Sequence, residues 1–377
     1  MLYYLFYEQL FEYFSPFRVF RYLTFRTAFA SITALLICVL LGSNLIARLK
    51  EFQIGQYIRA EGPQSHQRKA GTPTMGGVLI NVAIIVPTLL WADLRNPLIW
   101  LVVLATAGFG LVGFLDDYFK ISRRQNRGLS GRTKLYLQVL ISFLVGVSLL
   151  FFTAQGTYST HLIVPFFKNF TPDLLIHRLL DNPFTYPLGF GFFLLFVILV
   201  IVGSSNAVNL TDGLDGLAIG CTIVAAGALT VLTSVTGHAV FARYLEIQYL
   251  PQVAEVTIFC GAMVGAAMGF LWYNAHPAEI FMGDVGSLAL GGAIGTVAVV
   301  IKQEILLLFI GGIFVAEALS VILQVASFQL YGRRIFLMAP LHHHFEMKGW
   351  SESKIIARFW IASLVLALFA LSTLKLR

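Results

Sequence analysis

Charge is scarce in this chain, and thiols are scarcer. Only 12% of the 377 residues are charged, and the three cysteines, Cys38, Cys221 and Cys260, each fall inside an apolar run. That placement excludes a disulfide framework and a thiolate metal centre. Acid is rarer than base, with 19 Asp and Glu against 26 Lys and Arg. No internal repeat or low-complexity tract divides the sequence, and the alternating pattern of a transmembrane β-barrel is absent. What fills the space is apolar: 58% hydrophobic residues and a mean hydropathy of +0.80, more than a soluble core requires. The expectation is an all-α polytopic membrane protein, a single integral-membrane domain over residues 1–377.

A bilayer core is crossed by roughly 20 apolar residues in a helix. About ten such runs can be read, near 28–47, 75–92, 98–115, 134–153, 187–205, 216–236, 255–273, 286–301, 303–329 and 354–375. The ninth, about 27 residues and some 40 Å long as a helix, exceeds a core of roughly 30 Å, so a long, tilted or bent ninth helix is expected. Ten spans place both termini on one side. Base gathers in the odd loops: Arg48, Lys50, Arg59, Arg68 and Lys69, then Lys120, Arg123, Arg124, Arg127 and Arg132, then Arg333, Arg334 and Lys348. By the positive-inside rule these loops are cytoplasmic and the termini outside. The net charge of +7 is thereby explained by an anionic leaflet, and nucleic acid need not be invoked. Eleven of the first 25 residues are Phe or Tyr. With Glu8 and Glu12 interrupting them, residues 1–27 read as an interfacial aromatic segment, an amphipathic helix lying in the headgroup region, and not a cleavable signal.

Carboxylates beside lipid cost about 2.5 to 3.5 kcal/mol each at a helix centre and mark substrate or ion paths. Five of the eight aspartates fall in three polar breaks, after the third, fifth and seventh runs, and so on the cytoplasmic face. Asp116-Asp117 closes the third run; adjacent helical residues diverge by about 100°, so one can face a ligand while the other holds local structure, or both can simply cap the helix. In the run NAVNLTDGLDG from Asn206 to Gly216, the spacing of three puts Asn206, Asn209, Asp212 and Asp215 on one slanting stripe, which implies a shared partner. The third break, WYNAHPAEIFMGDVGS from Trp272 to Ser287, holds Asn274, His276, Glu279 and Asp284; Asp284 suits a helix cap and a magnesium ligand alike. Zinc fits less well, since no Cys accompanies the histidines. In the run PLHHHFE from Pro340 to Glu346 the three imidazoles diverge if the backbone is regular, so donation to phosphate is an easier role for them than a common metal. Glu317 and Gln324, seven apart on the ninth run, share a face. Acids for a divalent cation, basic and imidazole donors, and a lipid setting together suggest phosphoryl transfer to or from a lipid.

These residues resemble a family. Asp116-Asp117, NAVNLTDGLDGLA from Asn206, PAEIFMGDVGS from Pro277, PLHHHFE from Pro340 and RKAGTPTMGG from Arg68 look like the phospho-N-acetylmuramoyl-pentapeptide-transferases, within the polyprenyl-phosphate sugar-1-phosphate transferases. The likeness spans the chain. It implies transfer of phospho-N-acetylmuramoyl-pentapeptide from its UDP carrier to undecaprenyl phosphate, giving lipid I and UMP, with Mg2+, in a homodimer in the bacterial plasma membrane with a cytoplasmic active site. Carried over residue by residue, Asp284 would hold the metal, Asp116 and Asp117 would act on the lipid phosphate, and Phe281 would stack on uracil. Asn206, Asp212 and Asp215 would contact the nucleotide or shape its pocket. Lys69, Thr74, Lys134, Asn209, Asn274, Gln324, His342, His343 and His344 would line the phosphate and sugar region. The rivals are an N-acetylglucosamine-1-phosphate transferase to a polyprenyl phosphate and, further off, an ion-coupled transporter.

Overall fold

A computed structural model describes residues 1–51, 71–123, 128–167, 170–175 and 186–375. Ten helices account for the ten apolar runs: α1 Leu23–Glu51, α2 Gly77–Trp91, α3 Pro97–Ser122, α4 Gly131–Ala154, α5 Tyr186–Thr211, α6 Leu217–Thr236, α7 Val256–Asn274, α8 Gly283–Val300, α9 Gly312–Tyr331 and α10 Glu352–Ser372. Nine are long and apolar enough to cross a membrane, α7 counted with the preceding turn Pro251–Glu255; α2, at 15 residues, is shorter than the roughly 20 that a bilayer core needs. Among the described residues there is no strand, only one isolated bridge between His161 and Asp173.

α8 is the axis of the bundle. Every residue from Val285 to Val300 is buried, and the helix packs against α3, α5 and α2. Small residues permit this. A side-chain carbon at Gly77 would collide with the backbone of Gly286, and one at Gly113 with the carbonyl of Asp284. Backbones at such contacts approach closely enough for packing, not hydrophobicity, to hold helices together in lipid. α1 closes a second layer against α7, while α9 leaves Leu319, Ile322, Leu323, Val325 and Phe328 exposed.

Two expectations change. The ninth run is not one 27-residue helix. A short turn at Leu307–Ile310 is followed by Gly311 and Gly312, and α9 runs for 20 residues from there; two adjacent glycines break a helix that hydropathy alone would carry through. The aromatic N-terminal segment is not one amphipathic helix. It forms a wide turn at Tyr3–Gln9 and a tight one at Ser15–Arg21, folded back so that Phe20 stacks on Trp91 at the end of α2. The Met1 ammonium donates to the carbonyls of Leu89 and Ala92, and Lys375 donates to the carbonyl of Tyr244. Both termini therefore lie at the end of the bundle away from the three aspartate breaks.

Candidate active site

Four helix ends meet where the acids are. α3 delivers Asp116, Asp117 and Lys120 in its last turns, α8 delivers Asp284 in its first, α4 delivers Lys134 and α5 delivers Asn209. Asp116 and Asp117 are buried, 3% exposed each, and one oxygen from each of Asp116, Asp117 and Asp284 lies within 4.8 Å of the other two. The Lys120 ammonium sits among all three, 2.6 Å from Asp116 Oδ2, 3.2 Å from Asp117 Oδ1 and 2.7 Å from Asp284 Oδ2. Lys134 Nζ reaches the same Asp284 oxygen at 2.9 Å, and Asn209 donates to its other oxygen at 2.7 Å and to Ser287 at 2.8 Å.

Backbone donors fix the two aspartates of α3 in different jobs, as divergent neighbours should be. The Leu129 N–H donates to Asp116 and the Val285 N–H to Asp117. Asp117 thus joins α3 to the N-terminus of α8, whose dipole favours a negative charge there. Gly283 turns the chain into α8 with φ +69; a side chain there would press on Asp117 and on the Thr74 hydroxyl. Thr74 and Phe281 belong to facing segments. Phe281 N donates to Pro73, Gly76 N to Phe281 and Gly77 N to Met282, which ties residues 73–77 to the entrance of α8.

The expected stripe of Asn206, Asn209, Asp212 and Asp215 has no single partner. α5 ends at Thr211, and the glycines that follow redirect the chain. Asn206 donates to Gln138 Oε1 at 2.7 Å, Asn209 turns to Asp284, and Asp215 turns away to the α7–α8 loop. There it accepts from His276 Nδ1 at 3.2 Å and from the Ala278 N–H, while its own N–H donates to Glu352. Asp212 keeps an edge open at the mouth between the two groups; enclosure by protein, then the charges of Asp284, Asp117 and Asp215, push its carboxyl up to about 8. Asn274 is buried, accepting from Gly216 N and donating to Ile280, so it joins the two loops.

The histidines stand on a short helix, Leu341–Met347, where the His342 and His343 rings lie 4.2 Å apart but all three imidazoles take different partners. His342 is 1% exposed, with Nδ1 3.2 Å from Glu317 Oε1 on α9 and Nε2 pressed against Gly213, beside Asp212. His343 pairs with Glu346 at 2.6 Å, and His344 accepts from the Leu337 N–H, its ring held below the usual imidazole range by burial and by Lys348. Gln324 accepts from the N–H groups of Ile335 and Phe336 and donates to the Phe336 carbonyl, which clamps the loop after α9. Lys69 lies outside the described residues. Reading the sequence left out Lys120, Gln138, Ser287 and Glu352 as site residues, and it named His276 and Glu317 without assigning either a role. Lys120 had a signal, since it is three and four residues from the paired acids on one helix face.

Three hard carboxylate donors already gathered around one ammonium suit a divalent cation of the magnesium type, which takes one or two carboxylates and completes its shell with water and phosphate. Acids, lysines and amides at one end of an apolar bundle define a membrane-embedded phosphotransferase. The family described as Glycosyl transferase family 4 matches residues 99–302, and the Phospho-N-acetylmuramoyl-pentapeptide-transferase signature 1 matches residues 69–80. The chain is similar to the phospho-N-acetylmuramoyl-pentapeptide-transferase of Koribacter versatilis strain Ellin345, at 68% identity, and to that of Acidobacterium capsulatum, at 70%. It is 65% identical to that of Solibacter usitatus, and each match covers 100% of both chains. The chain belongs to the phospho-N-acetylmuramoyl-pentapeptide-transferase family and is a multi-pass bacterial membrane protein.

Proposed function

We propose that the chain moves phospho-N-acetylmuramoyl-pentapeptide from UDP-N-acetylmuramoyl-pentapeptide to undecaprenyl phosphate, and that the Asp116, Asp117 and Asp284 group is where the transfer occurs. A lipid phosphate oxygen attacks the sugar-bearing β-phosphorus, the bond to the α-phosphate oxygen breaks, and UMP leaves. The observation that carries this reading is the convergence of three carboxylates and two lysines from α3, α4 and α8 at a single point.

Roles follow from chemistry and position. Asp284, with Asp116 and Asp117 beside it, would hold Mg2+, which when bound neutralises the charge developing on the phosphoryl oxygens. Lys120 and Lys134 supply positive charge to the anionic reactants, and Asn209 keeps Asp284 oriented through its hydrogen bond. Asp116 faces the acceptor. Because a phosphate monoester has its second pKa near roughly 6, the acceptor is already mostly dianionic at neutral pH, and Asp116 contributes more by positioning than by removing a proton. Asp212, Asp215, Asn274 and Phe281 frame the nucleotide side, with Asn206 behind them, while Thr74, Gln324 and His342 to His344 border the sugar-phosphate side. Lys69 joins them in this reading. The site faces the cytoplasm, where the odd loops concentrate base, and both termini face outside. Two copies form the working unit.

Purified protein in lipid nanodiscs with undecaprenyl phosphate and magnesium should release UMP from UDP-N-acetylmuramoyl-pentapeptide and not from UDP-N-acetylglucosamine. The opposite preference would move the chain to the N-acetylglucosamine-1-phosphate rival. A glycosyl-phospho-enzyme formed without lipid acceptor would replace direct attack with a two-step route.

A further inference from the structure

The Lys120 ammonium occupies the place where a cation shared by the three carboxylates would have to sit. It contacts one oxygen of Asp116, one of Asp117 and one of Asp284 at 2.6 to 3.2 Å. A divalent ion needs those oxygens at about 2.1 Å, and it cannot share so small a space with a second cation. Lys134 differs. It meets only Asp284 among the three, from α4, and so borders the group without filling it. Lys120 also has somewhere to go. Its side chain is 31% exposed where Asp116 and Asp117 are 5% or less, and it stands on a flexible four-carbon stem.

We propose that Lys120 is the site's internal counter-cation, a lock that holds the three carboxylates together until a divalent metal displaces it. The proposal rests on the assignment of the metal to these carboxylates. Three buried or half-buried acids at such separation repel one another, and an ammonium from the same helix face keeps them gathered in the metal-free protein. The same contact competes with the metal. Lys120 therefore stabilises the empty site and weakens its affinity for metal, two effects of one interaction linked by mass action. A lysine that reached bound phosphate without touching these carboxylates would leave metal affinity nearly unchanged in the absence of substrate.

The test uses full-length protein in nanodiscs without substrate, titrated with Mn2+ and read by the electron paramagnetic resonance of the free ion. Lys120→Met should bind Mn2+ about tenfold more tightly than wild type, within the usual range of such couplings, whereas Lys120→Arg should not. In EDTA the Lys120→Met protein should melt below wild type, and saturating Mn2+ should raise its melting temperature by more than it raises that of wild type. Equal or weaker Mn2+ binding by a folded Lys120→Met protein overturns the lock. Should Lys120→Met not fold, Lys120→Gln carries the same test, since it too lacks the charge. Wild-type protein that binds no Mn2+, or binds it equally well after Asp284→Asn, would instead overturn the metal assignment on which the lock depends.

Discussion

The two ends of this bundle both bury charge, and they do so in opposite ways. At the end that carries the termini, each deeply buried cation takes one acid, while the exposed Arg95 bridges Glu8 and Asp93. Arg26, 4% exposed, grips Glu255 with both terminal nitrogens at 2.7 Å, and Lys302 pairs with Glu304 at 2.8 Å with the Tyr158 hydroxyl beside it. At the other end three carboxylates share two lysines. A matched pair is balanced in charge and serves to hold helices and loops in place. An unmatched group is tolerable only if something charged arrives to complete it, because uncompensated buried charge costs several kcal/mol. Stoichiometry of charge, more than burial, separates the structural end from the chemical one.

Removing one acid from the unmatched end breaks that contrast most severely. Asp284→Asn should lower kcat by about 10³-fold or more, since the residue orients two lysines and an amide and, in the proposed transfer, faces the reactants. Turnover of UDP-N-acetylmuramoyl-pentapeptide, read as UMP release, measures it, and the melting temperature should stay near that of wild type. A comparable change at the matched end should do the reverse. Arg26→Ala leaves Glu255 without its partner and should destabilise the protein by about 3 kcal/mol, with the kcat of the surviving folded fraction unchanged. Thermal melts beside activity per folded molecule check both halves. An Arg26 variant that melted normally but turned over slowly would end the division into two ends.

A finer cut lies within the site. Asp116→Asn keeps the side chain's size and its contact with Leu129 but removes one charge facing Lys120, so kcat should fall about 10²-fold, a misplacement-sized loss, while nucleotide affinity is retained. Isothermal titration with UMP separates the two. How much of this was legible beforehand varies with the distance over which each feature is set. The ten helices follow from local hydropathy, and the gathering of Asp116, Asp117 and Asp284 at one end follows from counting spans. Two things needed tertiary contacts. The departure of Asp215 to His276 and Glu352 depends on a residue 137 positions away, and the burial of His342 against Glu317 depends on how the loop after α9 folds back on that helix. Lys120 was visible as a helix-end partner of the acids, but helical spacing could not reveal that Asp284 lies within its reach.

The smallest expected effect sharpens the same contrast through pH. Enclosure and three like charges push Asp212 up to about 8, whereas an unfolded chain ionises its aspartates near roughly 3.9. Between those values the native state holds a proton that the unfolded state has lost. Stability must therefore fall as pH rises through the window, the loss being complete above about 8. In EDTA, melts of wild type and Asp212→Asn from about pH 5 to about pH 9 should diverge, the variant gaining relative to wild type as pH increases. Asp284→Asn should shrink that divergence, because it removes the largest of the like charges acting on Asp212. Glu255→Gln should leave it intact, since Glu255 belongs to the far, matched end and is not among the charges that act on Asp212. Parallel curves for wild type and Asp212→Asn would mean that the negative charge of the site is already compensated without a ligand, and the two ends would then differ only in which residues they bury.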